Sequence, residues 1–208
     1  METRRRVVVN NSWGLFGCKS LLLPCRIIFT RALVAMDRLN LVQTVWAIGN
    51  NQLLGCGKPV TGWCMNTLPT SLSIGAVNLG LRRQPYSSIG GQCYPLSPAV
   101  VCPTEGVVPW QEGFRDFGPQ GAGTSACAPL VSGAFAILAT AYPQLSNAQL
   151  RAALRGSARR LGPNPDFNPG TGSGLLQIGD ALRFAPEADQ DPSFQYEMDF
   201  LETASSVV

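Results

Sequence analysis

The stretch GTSACAPLVSG, residues 123–133, places one serine among small residues directly ahead of an apolar run. The residues that follow, as far as Tyr142, are apolar at almost every position. They predict a central helix that is buried on nearly every side. Pro129 suits the first turn of such a helix, because the N–H that it lacks would have no helical partner there.

Ser125 has two alternative uses at this position. A serine hydroxyl is a weak nucleophile that must be exposed and aimed at a carbonyl group, and the start of a helix achieves both. The N–H groups there, with the positive end of the helix dipole, stabilise a developing anion, and Gly123 lets a substrate approach closely. Alternatively, Thr124 or Ser125 is an ordinary N-cap of a core helix.

Upstream of this stretch, a strand–helix–strand pattern predicts the fold class. RVVVNNSWG, residues 6–14, is a β-branched run that ends in turn residues, and LVQTVWAIGNN, residues 41–51, is a second buried strand. Between them, residues 27–39 have apolar positions at helical spacing, with Asp37 among the charged residues of the opposite face. Such a unit implies an α/β fold of three layers, with a mostly parallel sheet between helices.

Shorter elements follow in the middle of the chain. SLSIGAV, residues 71–77, predicts a third strand, and PYSSIGGQC, residues 85–93, is a candidate for a fourth. Residues 93–123 contain several prolines and glycines and are expected to be loop-like.

Two more helices are predicted after the apolar run. SNAQLRAALRGSA, residues 146–158, is amphipathic and begins with a capping box formed by Ser146 and Gln149. Its arginines, Arg151 and Arg155, are expected to face water. A last helix is expected to begin near Gly179.

The charges divide the chain into a basic body and an acidic end. All 16 lysines and arginines lie at or before Arg183, and the residues after it carry six carboxylates and no base. We therefore predict one domain over residues 1–185 and an acidic, disordered tail over residues 186–208.

Composition argues against two classes of partner. The net charge is only +3, and the arginines are scattered without a recognition motif, so nucleic acid is not expected. No apolar run reaches the eighteen or so residues that span a bilayer, so no membrane span is predicted. The start of the chain has a basic segment without the apolar core of a signal peptide, and the sequence leaves the compartment open.

The seven cysteines allow disulfides or free thiols. Three pairs of short spacing, 18/25, 56/64 and 93/102, fall in segments rich in glycine and proline where loop disulfides would fit. None has the CxxC spacing of a zinc site, so no metal is predicted. Cys127 is expected to be a small buried apolar residue.

A set of motifs resembles the subtilisin-like serine peptidases, or subtilases. GTSACAPLVSGA is similar to the nucleophile segment of that family, although Leu130 stands where a histidine commonly follows the proline. WAIGNN resembles the Ala-x-Gly-Asn segment of the family. VVVNNSWG resembles the strand and loop that line the family's substrate groove, and GSGLLQIGDAL resembles its closing segment. SIGAV and YSSIG resemble two further family segments, so the resemblance runs from Val7 to Leu182.

The resemblance implies a serine endopeptidase that acts on polypeptides. Ser125 would be the nucleophile, and the Asn50 amide and the Ser125 N–H would hold the oxyanion. The other substrate-binding positions implied are Ser12, Trp13, Gly14, Ala47, Ile48, Gly49, Gly123 and Thr124. Two walls of this set, residues 12–14 and 47–49, would pair with the substrate as an added strand. Alternatively, Asn50 is a turn residue after a strand, and Trp13 and Ile48 are core residues.

The match lacks the aspartate and histidine of the family's triad. The chain contains no histidine, and the segments that carry both residues in subtilases have no counterpart here. We expect the C-terminal part of a subtilase catalytic domain, inactive alone, whose partner would be an N-terminal half carrying Asp and His. The alternative is a non-catalytic descendant that binds peptides or a protein partner.

Cofactors add little to this prediction. Subtilases often bind calcium, but the residues that would hold it cannot be assigned in this sequence, so no cofactor is predicted.

A third interpretation is an unrelated α/β module in which Gly-Thr-Ser opens a phosphate-binding helix. The glycines, however, lack the spacing of a P-loop or a dinucleotide fingerprint.

Overall fold

The main sheet has four parallel strands. The computed structural model describes residues 6–13, 23–50, 66–90, 96–110, 113–116, 118–162 and 167–206. The strands lie in the order β1 (Val7–Asn11), β2 (Val42–Ala47), β3 (Leu72–Val77) and β4 (Val100–Pro103). Each pairs in parallel with the next along the chain, for example Val7 with Val42 and Ile74 with Val100. The predicted α/β fold with a parallel sheet is confirmed.

Helices pack around this sheet. They are α1 (Leu23–Arg38), α2 (Thr124–Ala141), α3 (Asn147–Gly156), α4 (Ile178–Phe184) and α5 (Pro192–Ser206). All six residues of β3 are buried, and because successive side chains point to opposite faces, both faces of the sheet are covered there. In this environment the sequences of parallel strands are almost continuously apolar.

The helix α2 supplies one side of the hydrophobic core. Its buried residues are Thr124, Cys127, Ala128, Val131, Ala134, Phe135 and Leu138. The opposite side of α2 is open, since the side chains of Leu130 and Ile137 are 56% and 53% exposed. The prediction of burial on nearly every side is therefore wrong, and the apolar character of α2 exceeds what its packing within this chain uses.

The apolar character of α2 also satisfies a test for membrane helices. Of the helices in the described ranges, α2 is the one that is long and apolar enough to cross a bilayer. Core helices satisfy the same criterion, and Phe135 and Leu138 of α2 are fully buried in the core that it shares with the sheet. The predicted absence of a membrane span stays a prediction.

The middle of the chain differs from the prediction. Residues 85–90 form a turn instead of the fourth strand, and their serines bond to β3 and to the loop after β2. The Ala76 N–H donates to Ser87 Oγ, and the Ser88 N–H donates to the Gly49 carbonyl. The region expected to be loop-like contains β4 and an antiparallel hairpin of β5 (Val107–Trp110) and β6 (Gly113–Asp116).

The amphipathic helix α3 begins as predicted, with Ser146 as N-cap. The Gln149 N–H donates to Ser146 Oγ, and the Gln149 side chain accepts from the Ser146 N–H, which completes the capping box. Its arginines do not face water, because Arg151 and Arg155 are 0% and 3% exposed. The prediction for these two side chains is wrong.

The reason for this burial is a cluster of paired charges. Arg151 donates to both carboxylate oxygens of Asp37, at 2.6 and 3.0 Å, and to Glu197 at 2.8 Å. Arg155 pairs with the same Glu197, and Gln43 accepts a further hydrogen bond from Arg151 at 2.6 Å. Asp37 is therefore buried as well, although the helical pattern placed it on the polar face.

The acidic segment 186–208, predicted as a disordered tail, is helical over most of its length. A 3-10 segment, Ala185–Gln190, precedes α5, and α5 carries the fully buried Glu197. The segment is ordered because its carboxylate neutralises the arginines of α3 and its apolar residues Ala188 and Leu201 are buried.

Candidate active site

Ser125 lies in the first turn of α2, close to the end of β1. Its hydroxyl donates to the carbonyl of Ser12 at 2.9 Å, and the hydroxyl of Ser12 donates to the carbonyl of Ser125 at 2.9 Å. Ser125 is partly exposed, as a nucleophile must be. Ser12 follows β1 directly, so the parallel sheet brings it to the N-terminus of α2.

Asn50 is held at the same helix terminus by Thr124. Its Oδ1 accepts from the Thr124 N–H at 3.0 Å and from the Thr124 hydroxyl at 2.9 Å. The Thr124 hydroxyl also accepts from the Gly49 N–H at 3.3 Å. The buried threonine thus connects the loop after β2 to the first turn of α2, one residue before Ser125.

Gly123 is the N-cap residue of α2, and no side-chain capping bond is made by residue 123 itself. Asn50 Oδ1 takes the place of a capping side chain, because it accepts one of the orphan N–H groups of the first turn. The alternative of Thr124 or Ser125 as an ordinary N-cap is therefore wrong for this helix.

Two hydrogen-bond donors remain at this terminus. The Oδ1 of Asn50 is engaged by Thr124, and within the described residues no acceptor bonds to Asn50 Nδ2 or to the Ser125 N–H. The first belongs to the side chain that Thr124 holds, and the second belongs to Ser125 itself. Two such donors at a helix N-terminus are suited to an oxyanion, since the helix dipole also favours negative charge there.

The two predicted walls differ in their surroundings. Trp13 is 57% exposed and packs edge-on against Trp46, with ring centroids 5.4 Å apart. Ala47 and Ile48 are fully buried, and Gly49 is buried too. Gly14, the last residue of the first wall, lies outside the described residues. Trp13 is therefore not a core residue, whereas Ile48 is.

The backbone of the second wall is already hydrogen-bonded. Asn66 Nδ2 donates to the carbonyls of Ala47 and Ile48, at 3.1 and 3.4 Å, and the Ile48 N–H donates to Ile74. A substrate strand at residues 47–49 would have to displace some of these partners. The predicted pairing of these residues with a substrate stays a prediction.

Two cysteines lie behind the site. Cys102 of β4 and Cys127 of α2 are both buried free thiols, and Cys127 Sγ donates to the Cys102 carbonyl at 2.9 Å. Hydrogen bonding to the Cys102 side chain and burial together raise the pKa of the Cys127 thiol far above its ordinary range. Cys127 is thus an unreactive packing residue. Cysteines 18, 56, 64 and 93 lie outside the described residues.

A metal site is not formed by the part of the chain that the structure describes. No group of three or more cysteine, aspartate or glutamate side chains in those ranges is arranged to hold an ion. The buried carboxylates of Asp37 and Glu197 are paired with Arg151 and Arg155.

The sequence did not predict the contacts of the Thr124 and Ser12 hydroxyl groups. The resemblance implied substrate binding for both residues, and their side chains join separate segments of the chain to α2. Pro129 is the sixth residue of α2, so the prediction that it lies in the first turn is wrong. The N–H that it lacks would have served the Ser125 carbonyl, and Pro129 was therefore a usable signal for the Ser12 contact.

Comparisons with known proteins give the family of this chain. A family model described as the subtilase family matches residues 2–174. Subtilisin NAT of Bacillus subtilis subsp. natto is 31% identical over 112 residues, which cover 53% of this chain and 26% of that protein. Subtilisin of Bacillus pumilus is also 31% identical over 112 residues, which cover 36% of its length. The chain matches only these fractions of the curated relatives.

Solved structures show the same fold. The patellamide maturation protease PatA has a TM-score of 0.65 and 22% identity, and the match covers 86% of this chain and 63% of that one. The prenylagaramide maturation protease PagA has a TM-score of 0.64 and 22% identity, with 85% and 61% covered. Because the family model matches most of the 208 residues, this chain belongs to the subtilase family, a family of serine proteases.

Proposed function

We propose that Ser125 is the nucleophile of a serine endopeptidase site, with Asn50 Nδ2 and the Ser125 N–H as oxyanion donors. The substrate would be a polypeptide. The general base would come from a polypeptide segment other than these 208 residues, such as an N-terminal half carrying Asp and His, because the chain has no histidine.

The observation that supports this proposal is the position of Asn50. Two hydrogen bonds from Thr124 fix its Oδ1, which leaves its Nδ2 as a donor next to the residue that precedes Ser125. Capping of α2 uses the Oδ1 of Asn50, whereas the oxyanion role uses the Nδ2 that these bonds leave as a donor. A preorganised donor of this kind stabilises a developing oxyanion far more in a partly dehydrated site than in water.

The chemistry then follows the acyl-enzyme route. The Ser125 oxygen would attack the peptide carbonyl carbon while the base takes the hydroxyl proton, and the carbonyl oxygen would become the oxyanion. The C–N bond would break as the same base returns the proton to the leaving amine. Water would then hydrolyse the ester at Ser125. Without the base, this chain alone is expected to turn over little or no substrate.

A second candidate function is peptide binding without cleavage. The hydroxyl of Ser125 donates to a backbone carbonyl, that of Ser12, and a carbonyl group does not accept the proton as a base would. A chain in this state would hold a peptide in the groove and leave it intact.

A fluorophosphonate probe with added imidazole distinguishes the two functions. Without imidazole, the purified chain is expected to label slowly. A positioned general base raises the reaction rate by about 10²–10⁴-fold. Free imidazole at high concentration is not positioned, so it is expected to accelerate labelling of Ser125 by a smaller factor, about tenfold. Mass spectrometry of the labelled peptide would locate the adduct.

Three variants control this experiment. Ser125→Ala is expected to abolish the labelling, and Ser132→Ala, in the same helix, is expected to leave it unchanged. Asn50→Ala is expected to slow it, at most by the order of 10²–10³ that loss of such a donor costs in subtilisin. Labelling that imidazole does not accelerate above the Ser125→Ala background would contradict the nucleophile assignment and favour the binding function.

A further inference from the structure

The first turn of α2 contains a carbonyl that the helix itself does not serve. In an α-helix the carbonyl of residue i accepts from the N–H of residue i+4, and for Ser125 that residue is Pro129. Proline has no N–H, so the Ser125 carbonyl lacks its helical donor. A buried or half-buried carbonyl of this kind needs a donor from elsewhere.

The hydroxyl of Ser12 supplies that donor. It lies 2.9 Å from the Ser125 carbonyl oxygen, although the two residues are 113 positions apart in the chain. Asn10 Nδ2 donates to Ser12 Oγ at 3.1 Å. Since the Ser12 oxygen accepts from Asn10, its single proton is directed to Ser125.

Ser125 returns a hydrogen bond to the same residue. Its hydroxyl donates to the Ser12 carbonyl at 2.9 Å, so two antiparallel hydrogen bonds join the two serines. One bond fixes the backbone of Ser125 and the other fixes its side-chain rotamer. Together they determine where the Ser125 oxygen points.

We propose that Ser12 is a positioning residue for Ser125, acting through its side chain on the carbonyl that Pro129 leaves without a donor. This proposal rests on the proposed function in so far as Ser125 is the nucleophile. It differs from the predicted role of residues 12–14, which concerned the backbone as a wall of the substrate groove.

A double-mutant cycle between Ser12 and Pro129 tests the proposal. Ser12→Val removes the hydroxyl, and it is expected to lower the melting temperature by about 2–4 °C. In the Pro129→Ala background, the N–H gained at position 129 donates to the Ser125 carbonyl. Ser12→Val is therefore expected to lower the melting temperature there by at most half as much as in the parent. Equal losses in both backgrounds would overturn the proposal.

The labelling rate gives a readout that a merely structural role would not move. With imidazole present, Ser12→Val is expected to slow fluorophosphonate labelling of Ser125 by about tenfold, because a misaimed nucleophile loses orientation. Ser12→Thr has nearly the same shape as Ser12→Val but keeps a hydroxyl, and it is expected to restore the parent rate. Equal labelling by the two variants would overturn the proposal.

The two proposals fail in different ways. If Ser125 of the parent chain is never labelled, the proposed function fails, while the melting temperatures of the cycle still test the contact between Ser12 and Ser125. If the parent is labelled and the cycle is additive, the proposed function stands and the positioning role of Ser12 is wrong.

Discussion

Gly123 and Asn50 are matched in shape at the start of α2. Gly123 has a φ of +78°, and a β-carbon at this position would lie 2.9 Å from Asn50 Nδ2. The left-handed backbone and the close approach both require glycine. The position of the proposed oxyanion donor therefore depends on the absence of a side chain in the neighbouring segment.

Replacement of Gly123 by alanine is expected to displace the Asn50 amide. The substitution introduces a contact shorter than real β-carbons make and a disfavoured φ, at a cost of about 1–3 kcal/mol in the free energy of unfolding. Denaturant unfolding measures this cost, and fluorophosphonate labelling measures the loss of the donor.

Gly133→Ala is the matched control for this substitution. Gly133 lies inside the same helix, and a β-carbon there meets nothing within 4 Å. Since alanine is favoured over glycine in a helix by about 0.5–1 kcal/mol, this variant is expected to be as stable as the parent or more so. Equal destabilisation by both variants would contradict the fit between Gly123 and Asn50.

Removal of the Thr124 hydroxyl is expected to loosen Asn50. Thr124→Val keeps the shape of this buried side chain but leaves the Gly49 N–H without its acceptor and takes one donor from Asn50. We expect a loss of about 1–3 kcal/mol in the free energy of unfolding. Thr124→Ser keeps the hydroxyl, so its loss should be clearly smaller; comparable losses would show that the hydroxyl does not bridge the two segments.

Neutralisation of Glu197 is expected to destabilise the fold strongly. Burial alone would lower the pKa of Arg151, but the charges of Asp37 and Glu197 outweigh it and raise that pKa above the ordinary value. Glu197→Gln takes a charge from a cluster that is almost fully buried, and we expect a loss of about 3–5 kcal/mol. The melting temperature and chemical denaturation measure it.

Glu187→Gln makes the same chemical change at an exposed position nearby. It is expected to alter the free energy of unfolding by less than about 0.5 kcal/mol. If both variants behave alike, then α5 does not neutralise α3 in solution, and the buried cluster described above is wrong.

Because of the Cys127 thiol, the free energy of unfolding is expected to fall at alkaline pH. Hydrogen bonding to Cys102 and burial raise its pKa in the folded chain, so the folded state keeps a proton that the unfolded state releases above about pH 9. The free energy of unfolding therefore falls as the pH rises from there. Cys127→Ala is expected to cost about 1 kcal/mol at neutral pH through the small cavity it leaves.

Melting temperatures of the parent and of Cys127→Ala between about pH 7 and pH 10.5 measure this effect. The difference between the two proteins is expected to narrow above pH 9, because only the parent loses the contribution of the thiol. A constant difference across the whole range would show that Cys127 ionises as readily in the folded chain as in the unfolded one.

Local patterns in the sequence predicted the elements that depend on near neighbours. The capping box of Ser146 and Gln149 spans three positions, and the apolar runs of β2 and β3 are continuous, so both could be read from short windows. Asn50 accepts hydrogen bonds from Thr124 at the start of α2, and it was connected with this segment only through a resemblance of motifs. Its role at the oxyanion stays a prediction.

Contacts between distant segments could not be predicted in this way. Arg151 lies 114 positions from Asp37 and 46 from Glu197, and hydropathy alone assigns an arginine on a helix to the surface. The same limit applies to the turn at residues 85–90, whose serines bond to β3 and to the loop after β2. In each case the partner in space, not the residue type, decided burial.

The buried charge cluster has a consequence for the order of events during synthesis. Arg151 and Arg155 leave the ribosome before Glu197. Of the carboxylates that pair with them in the described part of the chain, Asp37, the partner of Arg151, is the one made earlier. Burial of an incompletely neutralised arginine pair is unfavourable, so docking of α3 in its final position must wait for α5. The nascent chain therefore completes its core late, after the segment that carries Ser125 has already emerged.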